Sequence, residues 1–326
     1  MRVVVAGGAG YIGSVVADSL IAAGHTVLVI DNLSTGHRDA VADDATFIEL
    51  DIRNRERTAA ALRAFGAEAI VHLCAHSLVG ESMADPSKYY WNNVGGGLTL
   101  LEAMRDTGVS KLVFSSTAAV YGEPDRQPID ETAPTQPTNP YGQTKLAFER
   151  ALRWYGEAYG VRSISLRYFN AAGATRRCGE RHLPETHLIP NVLQAAAAGQ
   201  PVTVFGDDYA TRDGTCVRDY VHVSDLATAH LLALDALGGG PMCRAYNLGC
   251  GGDGYTVREV IETARRVTGV DVSMHVAGRR TGDPAMLVAT SDRIRRDLGW
   301  RPERQQLDTI IESAWSFLKR LSATGA

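Results

Sequence analysis

Cysteine, basic runs and long apolar segments are all scarce in this sequence of 326 residues. The cysteines are odd in number, scattered and without a C-x-x-C pair: Cys74, Cys178, Cys216, Cys243 and Cys250. This pattern argues against a disulfide framework or a cysteine metal site, and we expect reduced thiols in a cytoplasmic protein. The formal net charge of -4, without a basic cluster, argues against a nucleic-acid partner. We expect no secretory signal and no membrane span, because no apolar run is suited to either.

The beginning of the chain carries the clearest motif. An apolar run at residues 3–6 leads into three glycines spaced G-x-x-G-x-x-G (Gly7, Gly10 and Gly13), and a helical pattern follows as far as Ala23. A second apolar run, at residues 26–30, ends directly at Asp31. Glycines at these positions permit a tight turn, a close approach of the backbone to a pyrophosphate, and close packing of the helix on the strand. The motif therefore predicts a dinucleotide site.

Two further features of this segment bear on the ligand. The N-terminus of the helix presents unpaired N–H groups and the positive end of its dipole to phosphates. Asp31, placed at the end of the second strand, is positioned to accept hydrogen bonds from both ribose hydroxyls, and its charge would repel a 2′-phosphate. The expected cofactor is therefore NAD rather than NADP.

The rest of the chain continues the alternation of strands and helices up to about residue 169. Such alternation predicts a Rossmann-type doubly wound parallel sheet of the α/β class, with its ligand at the carboxyl ends of the strands. We expect an NAD-binding domain at residues 1–169, to which segments around 219–250 return. Residues 170–326 are expected to form a smaller α/β lobe that binds the substrate.

A second motif lies further along, at the start of a predicted helix. Tyr141 and Lys145 are four residues apart and would share a face of that helix. An ammonium beside a phenol favours the phenolate, so Lys145 is expected to lower the pKa of Tyr141 from about 10 toward neutrality. Tyr141 would then remove a proton from a sugar hydroxyl, while Thr117, at a predicted strand end, orients the substrate oxygen.

Several longer motifs together resemble the UDP-glucose (UDP-galactose) 4-epimerases of the extended short-chain dehydrogenase/reductase family. They are Phe114-Ser-Ser-Thr-Ala-Ala-Val-Tyr-Gly122, Asn139-Pro-Tyr-Gly-Gln-Thr-Lys145, Arg167-Tyr-Phe-Asn-Ala-Ala-Gly173, Glu185-Thr-His-Leu-Ile-Pro190 and Tyr246-Asn-Leu-Gly249. The resemblance covers essentially the whole chain. It implies an enzyme with NAD bound throughout turnover, a soluble homodimer, and no metal ion.

The resemblance also implies roles for individual residues. The expected catalytic residues are Thr117, Tyr141 and Lys145. NAD is expected to contact Gly7, Gly10, Tyr11, Ile12, Gly13, Asp31, Asn32, Asp51, Ile52, Leu73, Ala75, Asn93, Ser115, Tyr141, Lys145 and Tyr168. The UDP-sugar is expected to contact Ser77, Thr117, Tyr141, Asn170, His187, Leu188, Phe205, Arg218, Arg280 and Asp283.

The chemistry that the resemblance implies is reversible and redox-neutral. The C4 hydroxyl proton passes to Tyr141 and the C4 hydride to NAD, which yields a 4-ketose still attached to UDP. The sugar then turns its other face, and the return of hydride and proton inverts C4. Arg218 and Arg280 would pair with the diphosphate through their planar guanidinium groups, and Phe205 would lie near the uracil.

Three positions depart from the family pattern. Ser77 replaces a lysine near the nicotinamide, which is expected to weaken the hold on NAD. Leu287 stands where the size of the pocket for an N-acetyl group is set in the family. The loop at 176–182 is basic, so Arg176, Arg177 or Arg181 would be able to face a sugar carboxylate, and a UDP-glucuronate 4-epimerase stays open as an alternative.

Other functions fit the motifs less well. A sugar-nucleotide dehydratase or a UDP-glucuronate decarboxylase would need an acid after Thr117, where Ala118 and Ala119 stand. A non-catalytic NAD-sensing regulator would have no need of the three catalytic residues together. For the homodimer, we expect the helices at 86–106 and 140–159 to pair through exposed apolar side chains, with Tyr89, Leu152 and Tyr155 as candidates.

Overall fold

A computed structural model describes residues 1–240, 242–280 and 283–324. The strands are β1 (Arg2–Ala6), β2 (Thr26–Asp31), β3 (Thr46–Glu49), β4 (Ala69–His72), β5 (Lys111–Thr117), β6 (Arg162–Tyr168), β7 (Asn170–Ala172), β8 (Val202–Phe205), β9 (Val217–Arg218), β10 (Tyr220–His222), β11 (Cys243–Leu248), β12 (Tyr255–Thr256), β13 (Met274–Ala277) and β14 (Met286–Leu287). The helices are α1 (Tyr11–Ala22), α2 (Arg55–Phe65), α3 (Val79–Ala84), α4 (Pro86–Tyr89), α5 (Gly96–Thr107), α6 (Pro140–Tyr159), α7 (Leu188–Ala198), α8 (Val223–Ala236), α9 (Val257–Thr268), α10 (Asp292–Leu298) and α11 (Leu307–Thr324).

Seven parallel strands form the central sheet, in the order β11-β6-β5-β4-β1-β2-β3. The inner strands β1 and β4 carry continuous buried apolar runs, at residues 3–6 and 69–71, because both faces of the sheet are covered. Helices α1 and α8 contribute to the core on one face, and α2, α5 and α6 to the core on the other. The predicted doubly wound α/β fold is thus confirmed.

The later half of the chain builds a second core. Strands β8 and β13 pair in parallel, and β12, β9 and β14 form a small three-stranded sheet. Helices α7, α9 and α11 pack together beside them. Strand β11 pairs with β6 in the central sheet, and α8 packs against α1. The boundary between domains at 169/170 stays a prediction.

The long predicted helix at 86–106 is a composite. After α4, residues Tyr90–Gly95 form a π-helical segment before α5 begins. At Gly97, a Cβ would lie 2.5 Å from the Phe148 ring, so this glycine admits an aromatic side chain of α6. Of the three consecutive glycines at residues 95–97, the last is therefore explained by the packing of α6 on α5.

Two side chains fix the start of α8. His222 caps the helix: its Nδ1 accepts a hydrogen bond from the Ser224 N–H at 3.1 Å. Asp225, in the first turn of α8, accepts hydrogen bonds from the backbone of Glu303 and Arg304.

No helix of the described residues combines the length and hydrophobicity needed to cross a bilayer.

The side chains predicted to mediate self-association are not exposed. Tyr89 and Leu152 are fully buried, and Tyr155 is half-buried. The most exposed large side chains of the π-helical segment and of α6 are Trp91 and Trp154, 69% and 62% exposed, and Tyr90 and Tyr159 are exposed beside them.

Candidate active site

A cleft of about 440 Å³ opens at the carboxyl edge of the central sheet. The glycine turn after β1, the end of β5, the start of α6 and the loop before α7 all contribute to its walls. The carboxyl edge is where the fold was expected to bind its ligand, because the loops of parallel strands meet there.

The glycine turn is packed too tightly for any side chain at two of its positions. Gly7 adopts φ 87°, and a Cβ there would lie 2.7 Å from the Cys74 nitrogen. A Cβ at Gly13 would lie 2.0 Å from the Gly7 carbonyl oxygen. Helix α1 then starts after Gly10 without a side-chain cap, so its N-terminus is available to an anion.

Two carboxylates follow the glycine turn along the cleft. Asp31 ends β2, and its oxygens accept hydrogen bonds from Ala9 N at 3.0 Å and Leu33 N at 2.8 Å. Burial raises the pKa of this carboxyl group. Asp51 is different, because the Arg53 guanidinium lowers the pKa of Asp51 to about 2. The Asn32 side chain also donates a hydrogen bond to Asp51, so these two residues, both expected to contact NAD, are joined in the wall of the cleft.

The chain alone meets the requirements of a dinucleotide site. The crowded Gly7–Gly13 contact brings the start of α1 close to β1, and the uncapped helix end faces the same cleft as the Asp31 carboxylate. These groups fit NAD, whose phosphates need N–H donors and whose ribose needs an acceptor.

The predicted catalytic residues come together from three elements. Thr117 ends β5, and its Oγ1 accepts a hydrogen bond from Ala119 N at 3.1 Å. Asn139 caps α6 through the Gly142 N–H, which sets Tyr141 in the first turn. A Cβ at Gly142 would lie 2.4 Å from the Ala119 carbonyl oxygen, so the start of α6 packs directly on the turn after Thr117.

The electrostatics of Tyr141 and Lys145 differ from the sequence prediction. Burial raises the pKa of Tyr141 to about 12, and a hydrogen bond with the Thr117 side chain opposes the shift. Burial lowers the pKa of Lys145 to about 7. Lys145 Nζ donates to the Ser115 carbonyl oxygen at 2.7 Å and lies 5.9 Å from the centre of the Tyr141 ring. In the polypeptide alone, burial therefore acts against the predicted lowering of the Tyr141 pKa, and this lowering stays a prediction for the enzyme with NAD bound.

A buried ion pair beneath these residues was missed by the sequence reasoning. Arg167 pairs with Glu149 at 2.6 Å, and both side chains are less than a tenth exposed. Ser116 donates to the same carboxylate at 2.5 Å. Glu149 stands four residues after Lys145, so helical spacing extended by one turn would have shown that it shares the face of Tyr141 and Lys145.

The predicted substrate residues are engaged with one another. Arg218 forms an ion pair with Asp283, and both line the cleft. Arg280 lies over the Phe205 ring, with its guanidinium carbon 3.8 Å from the ring centre. The Asn170 side chain donates to the Asp219 carbonyl oxygen at 3.2 Å. Ser77, His187 and Asn170 also line the cleft.

Four of the predicted site residues do not line this cleft: Asn93, Leu188, Phe205 and Arg280. Asn93 is buried, and its amide bonds both the N–H and the carbonyl of His76 and the Thr144 hydroxyl. It therefore supports the cleft wall, and its contact with NAD stays a prediction. Leu188 begins α7 and packs at the edge of the second core. Cleft residues that were not predicted include Glu180 and His182, for which no helical or strand pattern gave a sign.

The basic loop is tied to the first half of the chain. Arg177 pairs with Asp18 on α1, and Arg181 pairs with Asp39 at 2.8 Å. These partners offset the charges of Arg177 and Arg181, and the third candidate, Arg176, is exposed. None of the three arginines is among the residues that line the cleft, so no arginine cluster faces a sugar carboxylate there. The geometry gives the UDP-glucuronate alternative no support.

Comparisons with known proteins agree with the geometry. Residues 3–249 match the model of the NAD dependent epimerase/dehydratase family. The chain is 52% identical over 322 residues to UDP-glucose 4-epimerase of Corynebacterium glutamicum, covering 98% of this chain and 97% of that protein. Among solved structures, a UDP-glucose 4-epimerase at 47% identity has a TM-score of 0.96, covering 99% of this chain and 98% of that one.

A second solved structure is that of UDP-glucose 4-epimerase from Brucella ovis in complex with NAD. It is 46% identical to this chain, with a TM-score of 0.93, and the match covers 96% of this chain and 97% of that one. Sequence and structure thus lead to the same group of proteins, which confirms the resemblance inferred from the motifs.

Proposed function

The chain belongs to the UDP-glucose 4-epimerases of the NAD-dependent epimerase/dehydratase family, and we propose that it inverts C4 of UDP-glucose and UDP-galactose. The observation that carries this proposal is the meeting of Thr117, Tyr141 and Lys145 in the same cleft as the glycine turn. A dinucleotide-binding protein without chemistry would not need a phenol, a hydroxyl and an ammonium at that place.

The cofactor would be held by the uncapped start of α1, by the Asp31 carboxylate and by Lys145. NAD, when bound, supplies a reversible acceptor for the C4 hydride. Asp31 carries a negative charge where a 2′-phosphate would lie, which favours NAD over NADP. Ser77 lines the cleft and carries no charge, so cofactor binding would depend on the start of α1, on Asp31 and on Lys145.

Tyr141 acts on the proton of the C4 hydroxyl. As a phenolate, which the positive charges of Lys145 and of bound NAD would favour, Tyr141 would take this proton as the 4-ketone forms. It would hold the proton as a phenol and return it after the sugar has turned, so the proton balance over one cycle is zero. Thr117 lines the cleft together with Tyr141 and would orient the sugar oxygen. Lys145 is anchored at the Ser115 carbonyl, which fixes its ammonium between strand β5 and helix α6.

The UDP part of the substrate would be held while the sugar turns. Arg218 would exchange part of its ion pair with Asp283 for a diphosphate oxygen, and Arg280 on Phe205 would close over the nucleotide. Ala118 and Ala119 stand where a dehydratase would need an acid, and both line the cleft. We therefore propose epimerisation without elimination, in the cytoplasm, where the five free cysteines would stay reduced.

Proton NMR of the purified protein tests this function. UDP-glucose and UDP-glucuronate are incubated in separate tubes, each with and without added NAD, and the anomeric signals are followed. Growth of the UDP-galactose signal from UDP-glucose supports the proposal. Conversion of UDP-glucuronate alone, or no turnover in any tube, would contradict it. Turnover that depends on added NAD would show that the cofactor is held weakly beside Ser77.

We further propose that the enzyme is a homodimer in which a second copy covers Trp91 and Trp154. Trp91 lies in the π-helical segment and Trp154 on α6, two elements that pack against each other. Burying two such indoles gives an association a large apolar contribution. Sedimentation of wild type should give twice the monomer mass, and Trp154→Glu should give the monomer mass. A wild-type monomer would refute this part.

A further inference from the structure

Three cleft residues that the proposed reaction does not explain together form a cluster of metal-binding groups. Glu180, His182 and His187 each offer a donor atom, and these atoms lie within 4.8 Å of one another. All three belong to the segment between β7 and α7, where His187 caps the helix. Two imidazoles and a carboxylate form the donor set that proteins use for zinc with an open coordination position.

The donor atoms are oriented by neighbouring groups. His187 Nδ1 lies 2.7 Å from Glu185 Oε1 in hydrogen-bond geometry. A carboxylate on one ring nitrogen fixes the imidazole and leaves the other nitrogen for a metal. Glu180 accepts from the backbone of Arg181 and His182 through Oε1, and no donor to Oε2 is found among the described residues.

A buried nitrogen without a hydrogen-bond partner points to the same place. His182 Nδ1 lies at ion-pair distance from Glu180 Oε1, 2.7 Å, but the two atoms do not have hydrogen-bond geometry. Within the part of the chain that the structure describes, this nitrogen has no hydrogen-bond partner, although it is buried. Buried polar atoms are nearly always paired, so an unpaired one beside two other donors suggests a ligand.

The segment that carries the cluster is held in place at its other end. The pairs Arg177–Asp18 and Arg181–Asp39 fasten it to α1 and to the turn at residues 38–40. A tetrahedral ion with bonds of about 2.0 Å would need its donors about 3.3 Å apart. The donor atoms lie within 4.8 Å of one another, so they would have to approach each other by up to about 1.5 Å.

We propose that Glu180, His182 and His187 bind a zinc ion at the edge of the cleft, and that this ion competes with the UDP-sugar. The competition rests on the proposed function, for which the family resemblance implies that His187 contacts the UDP-sugar; His187 lines the cleft. Because His187 cannot serve the ion and the UDP-sugar at once, each ligand weakens the binding of the other by the same factor.

Metal binding is measured directly on the NAD-loaded enzyme after treatment with EDTA. Zinc is titrated against a chromophoric chelator into wild type, His182→Gln, Glu180→Gln and His275→Gln. The two cluster variants should bind zinc at least about tenfold more weakly, whereas His275→Gln, an exposed histidine on β13, should match wild type. Cobalt(II) should give visible bands of a tetrahedral N/O site without a thiolate charge-transfer band.

Two further measurements address the competition. Added UDP should weaken zinc binding to wild type, and zinc should raise the KM for UDP-glucose while leaving kcat unchanged. The ratio of KM with and without zinc should fall toward one in His182→Gln. Wild-type affinity in both cluster variants, a thiolate band, or zinc binding that UDP leaves unchanged would overturn the proposal. Turnover of UDP-glucose in EDTA reports on the proposed function separately, because it needs no zinc.

Discussion

The Lys145 ammonium lies 2.7 Å from the Ser115 carbonyl oxygen, at the point where β5 ends beside α6. This contact ties the helix that carries Tyr141 to the strand that carries Thr117. The Lys145 ammonium therefore binds a backbone oxygen, and its Nζ lies 5.9 Å from the centre of the Tyr141 ring. Lys145 thus holds the two catalytic elements together and also places a basic group close to Tyr141.

Replacing Tyr141 by Phe should reduce kcat by about 10² to 10⁴, because the variant lacks the group that takes and returns the C4 proton. Steady-state epimerisation of UDP-glucose measures the loss. Tyr159→Phe removes a phenol from the far, exposed end of the same helix and should keep nearly full activity. Equal rates for Tyr141→Phe and wild type would remove Tyr141 from the chemistry.

Gly13→Ala should lose NAD and become less stable, since the new methyl group would lie 2.0 Å from the Gly7 carbonyl oxygen. Overpacking against fixed backbone costs about 1–3 kcal/mol. Cofactor released on denaturation and the melting temperature are the two measurements. Gly80→Ala is the control, because no atom lies within 4 Å of a Cβ at that helical position. Full NAD content in Gly13→Ala would contradict the packing argument.

Glu149→Gln should destabilise the chain by about 3–5 kcal/mol, since it leaves the Arg167 guanidinium buried without its counter-charge. Urea unfolding measures the change. Glu157→Gln breaks an exposed pair with Arg153 two turns further along α6, and should cost less than about 0.5 kcal/mol. Similar costs for the two variants would show that burial does not decide the strength of these pairs.

Asp219 should make stability depend on pH in the acid range. Burial raises the pKa of Asp219 to about 6 from an ordinary value of 3.8. Between these values the folded chain holds more protons than the unfolded chain. The contribution of this group is therefore fully present below pH 3.8 and is lost as the pH rises through about 6.

The comparison of wild type with Asp219→Asn isolates this contribution. The difference in unfolding free energy, wild type minus variant, should fall as the pH rises across that window. Added salt should leave the slope in place, because it arises from burial and not from exposed charges. A difference that is constant with pH would contradict the assigned cause.

The parts of this protein that the sequence determines by itself are those set by short-range geometry. The spacing of Gly7, Gly10 and Gly13 dictates a tight turn in which Gly7 and Gly13 leave no room for a side chain, and Asp31 follows because β2 must end beside it. The offset between Tyr141 and Lys145 places both on one face through the helical repeat alone. The motifs around these residues were also sufficient to indicate the family, which the comparisons confirm.

Only the tertiary structure decided which charged groups meet. Arg177 and Arg181 formed a basic run in the sequence, yet Asp18 and Asp39 lie more than 140 positions away from them. The shifts at Tyr141 and Lys145 depend on how deeply both are buried, and a helical repeat does not report depth. Glu180, His182 and His187 form a cluster only because their segment is fastened across the cleft edge. Ion pairs and desolvation act through space, so their outcome is fixed by the packing of distant segments and not by the order of residues along the chain.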